Sequence, residues 1–85
     1  MNILVIDDDC DLLKLIRQSL QTTYQVSVES DVTMVNKEQL QKADLIILDV
    51  MMPKMNGFEF LRKYREIIDA PVIFLTATCW GALTS

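Results

Sequence analysis

The chain has 85 residues, 51% of them hydrophobic and 24% charged, with no histidine and a formal net charge of −4. That length holds one domain with a thin core, one that buries about 60–65% of the surface its unfolded chain exposes. The acidic balance argues against nucleic-acid binding by this segment, which would need at least a basic stripe. No apolar run reaches membrane-spanning length, and strand-forming sequence beginning at Asn2 leaves no room for a signal peptide, so the expected location is the cytoplasm.

In chain order, Asn2 to Ile6 (NILVI) is an apolar run without alternation that ends in Asp7, Asp8 and Asp9. Such a run suits a strand covered on both faces, with carboxylates at its carboxyl end. Leu12, Leu13, Ile16 and Leu20 then fall at helical spacing between Asp11 and Thr22, with Asp9 or Cys10 at the N-cap. Asp9 and Asp11 suit the positive end of that helix. Cys10 and Cys79 lack any histidine partner and read as buried or incidental thiols, neither a zinc site nor a disulfide framework. Tyr24 to Glu29 alternates, with Tyr24, Val26 and Val28 on one side, and reads as a strand at the sheet edge. Asn36 followed by Gln39 forms a capping-box pattern, which predicts a short helix over Lys37 to Lys42.

The stretch Asp44 to Gly57 (DLIILDVMMPKMNG) organises the rest. Leu45 to Leu48 form a buried strand that delivers Asp49 to its carboxyl end, and Pro53 and Asn56-Gly57 punctuate the loop that follows. Phe58, Leu61 and Ile68 mark a helix to about Ile68, and Pro71 to Leu75 (PVIFL) is a further unalternated strand, finishing at Thr76. Strands alternating with helices predict an α/β fold with a mostly parallel sheet and right-handed crossovers. In strand order 2-1-3-4 the switch point lies between the first and third strands, just beyond Asp7, Asp8 and Asp49. Converging carboxylates repel and raise a pKa unless a cation intervenes, and an oxygen-only cluster suits Mg²⁺. A carboxylate beside Mg²⁺ can act as the nucleophile for phosphoryl transfer, with the Thr76 hydroxyl placed to contact a phosphoryl oxygen.

NILVIDDD with its helix, DLIILDVMMPKMNGFEFL and PVIFLTA, in that order, resemble the receiver domain of two-component response regulators, the CheY-like family. The resemblance implies a flavodoxin-like doubly wound sheet and a signalling module, not an enzyme. By position it implies phosphorylation at Asp49, and Mg²⁺ held by Asp7, Asp8, Asp49 and the main-chain carbonyl of Met51. It also implies Thr76 as the switch hydroxyl, a histidine kinase as phosphodonor, and an output domain or partner protein as receiver of the signal. It covers residues 2 to about 77, so residues 1–77 read as a partial receiver and 78–85 (TCWGALTS) as an atypical tail. The family's fourth helix, fifth strand with its lysine, and fifth helix have no counterpart here, and Lys14, Lys37, Lys42, Lys54 and Lys63 occupy no equivalent position. The expectation is therefore impaired switching in a chain cut within a receiver, rather than a natural short receiver that completes its sheet through another chain.

Two other readings stand beside this one. Asp7 and Asp9 have the Asp-x-Asp spacing of haloacid-dehalogenase-like phosphohydrolases, which would make Asp7 the nucleophile. Alternatively, the fourth-strand edge together with Trp80 makes the chain a non-phosphorylated association module, since an exposed apolar edge invites pairing.

Overall fold

The computed structural model describes residues 1–75. Four strands, β1 (Asn2–Ile6), β2 (Gln25–Glu29), β3 (Leu45–Asp49) and β4 (Val72–Leu75), form one parallel sheet in the order β2-β1-β3-β4. Between them run α1 (Cys10–Leu20), a 3₁₀ turn (Val32–Met34), α2 (Lys37–Lys42) and α3 (Gly57–Tyr64). The unalternated runs of β1 and β3 follow from helices on both faces. Leu4, Ile6, Ile46 and Leu48 pack with Leu40, Met52 and Phe60 on one side, and Ile3 and Val5 pack with Leu13 of α1 on the other.

The two faces are unequally covered. On the α2/α3 face Leu40, Ile46, Leu48 and Phe60 are fully buried. On the α1 face Leu15 is 61% exposed and Ile73 49%, and an open apolar hollow runs between Leu15, Leu20, Ile47 and Leu75. β4, expected from its composition to be buried on both faces, is thus half-covered among the described residues.

Local chemistry sets the element ends. Asp9 caps α1 by accepting the amides of Asp11 and Leu12, and Asn36 and Gln39 of α2 form the reciprocal capping box expected from their spacing. α3 stops at Tyr64, short of the expected Ile68, because the Tyr64 carbonyl accepts both the Ile67 and Ile68 amides at 3.0 Å and closes the helix as a turn. Pro71 then bars the preceding residue from helix. Tyr24, expected inside β2, lies in the turn before it, 37% exposed, with its amide bonded to the Leu20 carbonyl. The 3₁₀ turn is capped by Asp31 and buries Val32.

Candidate functional site

β1 and β3 are hydrogen-bonded neighbours in register from Ile3↔Leu45 to Ile6↔Leu48, so the residues that follow Ile6 and Leu48 emerge side by side. The Asp7 amide donates to the Glu29 carbonyl at the end of β2 (3.1 Å), and the Val50 amide to the Leu75 carbonyl of β4 (3.0 Å). All four strand ends are therefore tied around one spot, and Asp7, Asp8 and Asp49 bring carboxylate oxygens within 4.8 Å of one another there. Asp7 is 3% exposed and Asp49 6%, whereas Asp8 is exposed. A cleft of about 710 Å³ opens over them, running from Asp8 and Met51 to an apolar end at Leu12 and Leu75.

Each buried carboxylate has a fixed partner. Asp7 accepts the Asp9 amide (2.9 Å), and Asp49 accepts the Met51 amide (3.1 Å). These bonds favour the ionised forms but do not offset desolvation. Burial first, then the charge of Asp7 and the sharing of a proton with it, pushes the Asp49 carboxyl up to about 7. Burial likewise raises Asp7, opposed by the Asp9 amide and by its hydrogen bond with Asp49, and assisted by Asp8. Two buried carboxyls competing for one proton form a site short of positive charge. A hard divalent cation relieves that deficit with oxygen ligands alone, so the donor set fits Mg²⁺.

The loop after Asp49 is shaped by Gly57. A Cβ there would lie 2.5 Å from the Asp49 carbonyl oxygen and 3.1 Å from the Val50 Cα, so α3 can begin this close to the strand end only at glycine. The Gly57 amide donates to the Val50 carbonyl (2.9 Å), and Asn56 caps α3 through the Glu59 amide (2.8 Å). The sequence signal was the Asn56-Gly57 pair, read as loop punctuation; its role is a cap followed by a close backbone approach.

Of the residues named from the sequence, the structure brings Asp7, Asp8, Asp49 and Met51 together. Thr76, Cys79 and Trp80 lie outside the described residues. Cys10 is exposed in the first turn of α1, which removes the buried reading of that thiol. Lys54, an exposed loop lysine, pairs with Asp31 at 3.0 Å. Sequence reasoning missed Asp31, whose only signal was a turn carboxylate ahead of Val32.

The receiver-domain family model, described as the response regulator receiver domain, matches residues 3–80. The chain belongs to the response regulator receiver domain family. Its relatives include the transcriptional regulatory protein SpaR of Bacillus subtilis, 42% identical over 76 residues, a match that takes in 88% of this chain and 34% of SpaR. The nisin biosynthesis regulatory protein NisR of Lactococcus lactis is 35% identical over 77 residues, covering 88% of this chain and 34% of NisR. The chain thus spans about a third of the length of these curated relatives, 34% in each. A response regulator receiver domain protein from Clostridium thermocellum superposes with a TM-score of 0.81 at 31% identity, over 95% of this chain and 69% of that one. The receiver fold, its α/β class and the strand order 2-1-3-4 expected from the sequence all hold. As a receiver, the chain is a two-component signalling module of CheY-like type.

Proposed function

We propose that this receiver accepts a phosphoryl group on Asp49 in a Mg²⁺-dependent reaction, with a histidine kinase as donor and an output domain or partner protein as the recipient of the signal, in the cytoplasm. The observation that carries the reading is the convergence of Asp7, Asp8 and Asp49, two of them buried, within 4.8 Å at the switch point of a receiver sheet. Asp7, Asp8, Asp49 and the main-chain carbonyl of Met51 are the groups that would hold the ion. When bound, Mg²⁺ supplies positive charge against the phosphoryl oxygens and favours ionised carboxylates.

The chain's own residues do the rest. A carboxylate oxygen of Asp49 attacks phosphorus to form the acyl phosphate, while the bond from phosphorus to the donor breaks and the donor keeps the electron pair. The Met51 amide holds the other Asp49 oxygen at 3.1 Å and so orients the attacking one. Strand ends tied by the Asp7 and Val50 amides fix the spacing of the carboxylates. Thr76 is assigned to the phosphoryl group as the switch hydroxyl.

The test is incubation of the chain with a small acyl phosphate and Mg²⁺, followed by intact mass. One added phosphoryl group is expected, lost in Asp49→Asn and retained at reduced rate in Asp7→Asn. Loss in Asp7→Asn with retention in Asp49→Asn would instead support the phosphohydrolase reading, with Asp7 as nucleophile. A second reading, pairing with another chain through the β4 edge, is favoured by the place of β4 at the end of the described sheet. Sedimentation velocity showing a monomer at all concentrations would remove it.

A further inference from the structure

Two loops flank the acidic site, and among the described residues one ion pair joins them. The first follows β2, where Asp31 is held from several directions. Its amide donates to a Glu29 carboxylate oxygen (3.1 Å), and its Oδ1 accepts both the Thr33 amide (2.9 Å) and the Thr33 hydroxyl (2.6 Å). The Glu29 carbonyl in turn accepts the Asp7 amide. Asp31 is therefore a fixed anchor, connected through Glu29 to the backbone of Asp7. Its carboxyl is held down at about 2, first by the Thr33 hydroxyl and then by Lys54.

The second loop joins β3 to α3 and carries Met51. Its amide ends are pinned at Val50 and Gly57, and the Met52 side chain is buried in the main core at 8% exposure. Beyond Met52 the described contact that crosses to the other loop is Lys54 Nζ to the free Asp31 oxygen, at 3.0 Å. Between the loops lies a half-open hollow of about 120 Å³ lined by Asp8, Val32, Met52 and Pro53 and by the Lys54–Asp31 pair. The pair thus borders the same space as Asp8 and ties the loop after β2 to the loop that carries Met51.

We infer that the Lys54–Asp31 ion pair is a latch that positions the loop after Asp49 for divalent-cation binding, which makes Lys54 and Asp31 positioning residues. The inference rests on the Mg²⁺ reading above. It differs in sign from the plain electrostatic expectation. A lysine that acted only through its field would repel the cation, so its removal would tighten binding. A lysine that holds the loop loosens binding when it is removed.

The experiment is a Mg²⁺ titration of the full chain followed by ¹⁵N–¹H correlation spectra, with Lys54→Met, Asp31→Asn and Lys54→Arg compared with wild type at low salt. Asp31→Asn keeps the oxygen that caps Thr33 and removes only the charge. Lys54→Met and Asp31→Asn are each expected to weaken Mg²⁺ binding roughly two- to fivefold, the range open to an exposed pair. Lys54→Arg should retain wild-type affinity, and the difference between Lys54→Met and wild type should shrink as added salt screens the pair. Peak dispersion in the same spectra shows that each variant is folded. Unchanged or tighter binding in Lys54→Met, or Lys54→Arg as weak as Lys54→Met, overturns the latch alone. A wild-type chain indifferent to Mg²⁺ overturns the metal reading, and the latch with it.

Discussion

Replacing Asp49 with Asn should stabilise the chain at neutral and higher pH, at the cost of its proposed function. Asp49 titrates at about 7 in the fold against an ordinary 3.8, so between those values the native state holds a proton that the unfolded chain has released. Stability is then fully present below about pH 4 and is lost as the pH rises through about 7. A shift of that size corresponds to an upper figure of about 4 kcal/mol. The cleft over Asp49 is open to water and the proton is shared with Asp7, so a realised loss of roughly half, about 2 kcal/mol, is the expected one. Asn cannot ionise and keeps an oxygen for the Met51 amide, so Asp49→Asn should be about 2 kcal/mol more stable than wild type at pH 8 and nearly equal to it near pH 4. Urea unfolding with a chelator present, at pH 4.5 and pH 8, measures both differences. Mg²⁺ at ten times its Kd should return about 1.4 kcal/mol to the wild type at pH 8 and little to the variant. A variant no more stable than wild type at pH 8, or one with the same dependence on pH, would refute the claim that burial and repulsion at Asp49 are stored in the fold.

Other perturbations test separate parts of the structure. Gly57→Ala should cost about 1–3 kcal/mol in urea unfolding, because its Cβ must displace the Asp49 backbone, and it should also weaken Mg²⁺ binding. Phe60→Ala, which empties a fully buried position on the α2/α3 face and removes the ring packed on Tyr64, should cost about 3–5 kcal/mol in urea unfolding. Asn36→Ala removes one side of the α2 capping box and should cost about 1 kcal/mol, seen as faster amide exchange in α2. Asp8→Asn, at an exposed position of the proposed ligand set, should leave the unfolding midpoint close to wild type while lowering Mg²⁺ affinity in a calorimetric titration.

What could be read directly from the residues was whatever depends on short-range pattern. Asn2 to Ile6 and Leu45 to Asp49 announce strands covered on both faces, and Asn36 with Gln39 announces a helix start, because in each case the governing contacts lie within a few residues. The sheet order 2-1-3-4, implied by the receiver resemblance, put Asp7, Asp8 and Asp49 at one switch point, where the structure brings them together. Features set by distant contacts were not legible. Lys54 finds Asp31 only because two loops 23 residues apart in sequence fold to the same edge, and neither residue is unusual in its own neighbourhood. The need for glycine at position 57 comes from the Asp49 carbonyl, not from a turn conformation. The end of α3 at Tyr64 is decided by a shared carbonyl that apolar spacing does not reveal. Tyr24 kept the alternation of β2 but fell outside it, because its amide is taken by the Leu20 carbonyl at the end of α1.

The central claim is that Asp49 is the phosphoacceptor, and locating the covalent mark tests it most directly. The chain is treated with an acyl phosphate, with and without Mg²⁺, then reduced with borohydride, which converts an aspartyl phosphate to homoserine, and the peptides are sequenced by mass spectrometry. The account expects homoserine at position 49, formed only when Mg²⁺ is present. Homoserine at position 7, or at no position under conditions where the chain is folded and Mg²⁺ is bound, would contradict it.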